Sequence, residues 1–165
     1  MENNANASIY VLSRPVSSGK TTQLMEWLKS QSSVAGILTP DIGGKRMIYN
    51  IAANKFHSFE VDKAYGADII DIGKFLFAKT AFRLAREILE RTLSEDHHWT
   101  VIDEAGKLEI EQGEGFEPSV LRLVKAFQAG KRGKLLLVIR DSLLQKAVEK
   151  YELTGYSIFS TDLPL

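Results

Sequence analysis

A chain of 165 residues, 44% apolar and 25% charged, has the length and make-up of one globular domain with a sizeable core. Its 21 basic and 21 acidic residues cancel, so net charge argues for neither nucleic acid nor an anionic membrane as partner. The lack of cysteine excludes disulfides and thiolate zinc sites.

The polar start MENNANAS has neither the basic beginning nor the apolar core of a secretory signal. No apolar run approaches the roughly 20 residues of a membrane helix. A cytoplasmic protein, monomeric by default, is the expectation. Residues 1–7 read as a short flexible tail and residues 8–165 as one domain, without repeats or linkers.

Residues 9–12 (IYVL) form the first buried-strand candidate. A helix follows from Thr21, with Leu24, Trp27 and Leu28 facing inward at i, i+3, i+4 spacing. Residues 34–39 make the next strand. Turn signals at Gly43-Gly44 and Asn54-Lys55 then separate runs rich in Ile, Tyr and Phe, which predicts an antiparallel meander over about residues 36–61. GADIIDIG fits either class. KTAFRLAREILERTL is a strongly amphipathic helix with Phe82, Ala85, Ile88 and Leu89 on one face. WTVIDE is a strand ending in acids. EPSVLRLVKAFQAG is a helix, with Pro118 suited to its first turn and Gly130 to its C-cap. KLLLVIRD is a buried strand, SLLQKAVEKYEL a helix, and YSIFST a last strand.

Apolar strands alternating with helices imply an α/β fold whose mostly parallel sheet is covered on both faces. Ligands in such folds bind at the carboxyl ends of the strands. That rule brings together the loop after the first strand, the Asp-Glu after WTVI and the Arg-Asp after LLLVI.

The loop, SRPVSSGKTT, ends like the phosphate-binding pattern G-x-x-x-x-G-K-[ST], but Arg14 stands where the opening glycine belongs. Backbone N–H groups over Val16, Ser17, Ser18, Gly19, Lys20, Thr21 and Thr22 would cradle phosphate oxygens at the helix N-terminus. Lys20 would bridge the terminal phosphates, and the Thr21 hydroxyl would hold Mg²⁺. The plain alternative is an ordinary βα turn with a solvated lysine.

Asp103, at the end of VID, is the candidate metal-side carboxylate. Glu104 points another way if strand side chains alternate, and is placed to orient or deprotonate the attacking water. A pair of solvated acids at a strand end is the alternative. Arg140 either stabilises charge on the transferring phosphoryl group or pairs with Asp141 or a neighbouring acid. His97-His98 read as a solvated loop rather than metal ligands. Phe75, Phe77 and Phe82 read as core, with ligand stacking as the other option. Gly113-Glu114-Gly115 is either a plain turn or an active-site loop.

The chain resembles the small P-loop nucleoside-triphosphatase family first described in thermophiles, which has a human cancer-related member. VIDEAGKLEIEQGEGFEPSVLRLV carries most of the likeness, being similar to that family's V-I-D-E-x-G-[KP]-[LM]-E segment and to the Gly-Glu-Gly continuation of its bacterial branch. GILT, IGKFLFAKTAFRLA and VIRDSLLQKAV are similar to further family segments in the same order. The resemblance implies a RecA-like P-loop domain with a meander insertion, hydrolysing ATP, GTP or another nucleoside triphosphate to the diphosphate with Mg²⁺, slowly and with broad base specificity. It matches Lys20 and Thr21 to phosphate and magnesium residues, Asp103 and Glu104 to the acidic pair, Lys107 and Glu109 to a G-K-x-E segment, and Arg140 to a late-strand arginine.

The departures lie at Arg14 and Ser17, where the family loop has glycine. A side chain at either position can obstruct close backbone approach, and strain at Ser17 would cost of order 1–3 kcal/mol. Ser17 and Ser18 would otherwise add hydroxyl hydrogen bonds to phosphate. Arg14 adds charge near the site or caps the loop against an acid. Two other functions fit the loop. One is a small-molecule or nucleoside kinase, because SSGKTTQLM looks somewhat like a thymidine-kinase loop. The other is a nucleotide-holding regulatory module with negligible turnover.

Overall fold

A computed structural model describes residues 7–15, 18–63, 66 and 68–161 of the chain. Val16 and Ser17, and residues 1–6 of the expected tail, lie outside the described residues. Ala7 is already buried among Trp27, Trp99 and Phe159.

The elements run β1 (Ile9–Arg14), α1 (Lys20–Leu28), β2 (Val34–Leu38), β3 (Asp41–Ile42), β4 (Lys45–Asn50), β5 (Lys55–Ser58), β6 (Ile69–Ile72) and β7 (Phe75–Ala78). They continue with α2 (Lys79–Thr92), β8 (Trp99–Ala105), α3 (Lys107–Gln112), α4 (Ser119–Gln128), β9 (Lys134–Arg140), α5 (Leu144–Lys150) and β10 (Ser157–Ile158). A 3₁₀ turn, Asp141–Leu143, leads from β9 into α5.

The main sheet has the order β10-β1-β9-β8-β2-β4-β3, with β5 paired to β4. Strands β10, β1, β9, β8 and β2 are mutually parallel. β4 joins β2 antiparallel, so the meander widens the sheet beyond its parallel part. Helices cover both faces, as the apolar strands require. The side-chain period of two divides β9 cleanly. Leu135, Leu137 and Ile139 pack in the core that includes α2, α4 and α5, whereas Leu136 and Val138 pack with Leu24 and Trp27 of α1. Gly36, at φ +104, lets β2 lie against β8, since a Cβ there would stand 2.0 Å from the Val101 carbonyl oxygen.

The helix and strand expectations hold, with ends moved by up to three residues: α4 starts at Ser119, with Pro118 just before its first turn and Gly130 after its last, and α5 and β10 are shorter than SLLQKAVEKYEL and YSIFST. The ambiguous GADIIDIG contributes β6, which pairs with β7 in a hairpin through Gly73. That hairpin leans on the meander's exit, where the Ala78 N–H donates to the Phe59 carbonyl at 3.0 Å. α3 was not expected: six residues between glycines carry too little apolar periodicity to announce a helix. Among the described residues, no helix is long and apolar enough to cross a membrane.

Candidate phosphate-binding site

The carboxyl ends of β1, β2 and β8 open on one cavity of about 230 Å³. Ser18, Gly19, Lys20, Thr21 and Thr22 form one wall, and Asp103 and Glu104 another. Gly19 takes φ +81 where the chain turns into α1, a conformation that L side chains rarely adopt. The first-turn N–H groups of α1 therefore face the cavity mouth with the positive end of the helix dipole.

Lys20 is 7% exposed, and its Nζ donates to the carbonyls of Arg14 at 3.3 Å and Pro15 at 3.0 Å. An ammonium carries three donors, so one stays available to an anion in the cavity. Arg14, whose side chain was expected to carry charge into the site or to cap an acid, does neither through its visible contact. Its Nη1 donates to the amide oxygen of Gln23 on α1 at 2.9 Å, and Gln23 in turn donates to Thr161 at 3.1 Å. The guanidinium thus ties the loop's entry to the helix it leads into.

Thr21 and Asp103, 82 residues apart in sequence, meet directly: the Thr21 hydroxyl donates to Asp103 Oδ2 at 2.7 Å. The Thr39 N–H donates to the same oxygen at 3.2 Å. Burial pushes the Asp103 carboxyl up to about 6, against the pull of the Thr21 and Thr39 hydrogen bonds and of Arg46; the charge of Glu104 adds to the rise. A buried carboxylate and a hydroxyl side by side form the hard-oxygen donor pair that suits Mg²⁺.

Simple strand alternation fails at Glu104. The β8–β9 register slips between Asp103 and Ala105, so Glu104 is the extra residue of a bulge and lines the same cavity as Asp103. Arg140 does not line this cavity. Its Nη2 stands 3.9 Å from Glu104 Oε1, so the neighbouring acid it pairs with is Glu104 rather than Asp141. Its Nε is buried without a hydrogen-bond partner among the described residues.

Three lining residues were not singled out from the sequence: Thr39, Asp41 and Arg46. Thr39 carries a usable signal, since it ends an apolar strand of a parallel sheet. Arg46 carries none locally; only the pairing of β4 with β2 brings it to the site.

Beyond Glu104 lies a second cavity of about 150 Å³ that shares Thr39, Arg46 and Glu104 with the first. Phe59, Phe75, Phe77, Phe82 and Phe116 surround it, together with Arg140, Lys107 and Glu109. The phenylalanines read as core are therefore also a cavity wall. Gly115 belongs to the same neighbourhood: a Cβ there would fall 2.9 Å from Glu109 Oε1, and its carbonyl accepts from Arg86 of α2.

Glu109 is 3% exposed, and burial pushes its carboxyl up to about 8, opposed by backbone amides around Gly106 and Phe116 and reinforced by the charge of Glu117. Between about pH 4.5 and 8 the folded chain holds a proton on Glu109 that the unfolded chain releases. The stability tied to that proton is complete below about 4.5, falls as pH rises, and is gone above about 8. The loss is roughly 5 kcal/mol at 1.36 kcal/mol per unit. Glu109→Gln cannot ionise, so its melting temperature is expected to fall less than the wild type's between about pH 5 and about pH 9. Parallel declines in the two proteins would show that Glu109 is charged throughout.

The model of a family described as NTPase matches residues 9–161 of the chain. The crystal structure of THEP1 from the hyperthermophile Aquifex aeolicus is similar, with a TM-score of 0.69 at 19% identity, over 93% of this chain and 89% of that one. At that identity the likeness establishes the shared fold. No curated protein matches the chain by sequence.

Proposed function

Because the chain belongs to the NTPase family whose model spans residues 9–161, we propose that it hydrolyses nucleoside triphosphates to diphosphate and phosphate with Mg²⁺, slowly and with broad base specificity. One observation carries this reading: the Thr21 hydroxyl on buried Asp103, in the cavity that Lys20 and the α1 N-terminus also line. An ordinary βα turn has no reason to bring those groups together.

The triphosphate would lie with its terminal phosphates at the α1 N-terminus, met by the N–H groups of Gly19, Lys20, Thr21 and Thr22. Lys20 would exchange its loop carbonyls for phosphate oxygens. Thr21 and Asp103 would hold the Mg²⁺, whose chemistry is to neutralise phosphate charge. Glu104 orients a water and takes its proton as the water oxygen bonds to the terminal phosphorus. The bond to the bridging oxygen breaks, and its electron pair leaves with the diphosphate. Arg140, held beside Glu104, offers positive charge as negative charge spreads over the departing groups. The cavity's groups address phosphate and metal, which supports recognition through the triphosphate more than the base. Slow turnover is what the family resemblance implies.

Phosphate release from ATP, GTP, CTP and UTP, with and without Mg²⁺, tests the proposal. Release is expected from all four at comparable rates and is expected to vanish when the metal is chelated. Release from one base alone, or undiminished release without metal, would overturn the specificity or the metal assignment. Tight binding with no release would favour the regulatory module.

A further inference from the structure

Hydrolysis needs only a water at Glu104, and a water needs two to four polar partners. The cavity behind Glu104 offers more than a water requires, since five phenylalanines wall it beside the ionisable Arg46, Lys107, Glu109 and Arg140. Phe59 and Phe77 stand 4.4 Å apart by ring centroid, and Phe82 and Phe116 stand 5.3 Å apart. Its volume of about 150 Å³ equals that of an engineered apolar cavity that admits a benzene ring. The two cavities share Thr39, Arg46 and Glu104 as lining, so a guest among the phenyl rings borders the proposed phosphate site.

Glu109 is among the residues that line this cavity. Its Oε2 is buried with no hydrogen-bond partner among the described residues. Glu109 occupies the third position of α3, from which a glutamate reaches back to the cap amides, so the backbone around Gly106 and Phe116 occupies the rest of the carboxyl. A buried orphan oxygen is costly unless something completes it. With its carboxyl pushed up to about 8, Glu109 is mostly protonated at neutral pH and offers an O–H to an acceptor.

We propose that the aromatic cavity is a phosphoryl-acceptor site for a small molecule of one flat ring, with a hydrogen-bond acceptor on the ring facing Glu109 and a hydroxyl group facing Glu104. This rests on the nucleotide-site reading above. The hydroxyl oxygen bonds to the terminal phosphorus while the bond from that phosphorus to the bridging oxygen breaks. The electron pair leaves with the nucleoside diphosphate, the hydroxyl proton passes to Glu104, and the products are the diphosphate and a phosphate monoester. Water attack is then the slow side reaction of a site whose acceptor place is empty.

The test incubates the protein with Mg²⁺ and ATP labelled in its terminal phosphate, adding pyridylmethanol or benzyl alcohol. The two alcohols share shape and hydroxyl, but only the first has a ring acceptor. Labelled pyridylmethyl phosphate is expected to form saturably while phosphate release falls. Benzyl alcohol is expected to be about tenfold or more poorer in kcat/KM, because it leaves Glu109 unpaired. Glu109→Gln, which keeps an N–H donor, is expected to retain the preference. Glu109→Leu is expected to abolish it, with its melting temperature reporting whether α3 stays folded.

Binding of a fluorescent ATP analogue is measured in the same samples. If the analogue fails to bind, the nucleotide-site reading has failed. If ATP binds and is hydrolysed but neither alcohol is phosphorylated, the acceptor site is overturned. Equal transfer to both alcohols overturns the role given to Glu109.

Discussion

Lys20→Ala is expected to abolish Mg²⁺-nucleotide binding or turnover, with phosphate release falling by about 10²–10³ or more, as when one preorganised charge-stabilising donor is removed. Lys20 is buried at the base of the loop, and its contacts are carbonyls rather than a carboxylate. A buried ammonium paired only with neutral acceptors is a poor arrangement for an empty site, because the charge loses hydration without a counter-charge. It becomes a good arrangement once phosphate enters. Alanine would leave the Arg14 and Pro15 carbonyls without their donor, at a cost of about 1–3 kcal/mol if water cannot reach them. Pro15 is exposed, so water can reach at least that carbonyl's residue and the fold should survive. Melting temperature and phosphate release therefore separate the two effects: a folded but inactive variant supports the assignment. Phosphate release at the wild-type rate would end the P-loop reading.

The parts legible in the sequence were those fixed by short-range pattern. Apolar runs of β-branched residues and leucine announced β1, β2, β8 and β9, and the Phe82, Ala85 and Leu89 stripe announced α2, because burial on both sheet faces forces those patterns. The rule that ligands sit at strand carboxyl ends was enough to bring Lys20, Thr21, Asp103 and Glu104 to one cavity.

What escaped the sequence depends on pairing between distant segments. Arg46 reaches the site only because β4 folds back on β2, and nothing around Arg46 encodes that register. The position of Glu104 escaped because a bulge adds one residue to β8 against β9. Phe75, Phe77 and Phe82 satisfy a core pattern whether they fill space or wall it, and only the packed structure distinguishes the two. Arg14 illustrates the same limit from the other side. Its place in the motif pointed to phosphate or an acid, whereas its contact is Gln23, one helical turn into α1.

Glu104→Gln is expected to keep nucleotide binding and to lose hydrolysis by about 10²–10⁴, the usual worth of a positioned general base. The amide preserves the reach and volume of the carboxylate and can still accept from Arg140, so the substitution removes basicity and little else. The ion pair itself contributes little to stability. Its atoms are 3.9 Å apart and its side chains 30% and 19% exposed, a geometry worth about 0–1 kcal/mol. Removing a negative charge from the cavity also lowers repulsion toward a triphosphate, so affinity should be unchanged or tighter. Equilibrium binding of a fluorescent ATP analogue and single-turnover phosphate release measure the two quantities separately. If Glu104 serves both water and a hydroxyl acceptor, the variant must lose hydrolysis and transfer together, since each passes its proton to the same oxygen. Full phosphate release by Glu104→Gln would remove Glu104 as the base and leave its pairing with Arg140 as a structural contact.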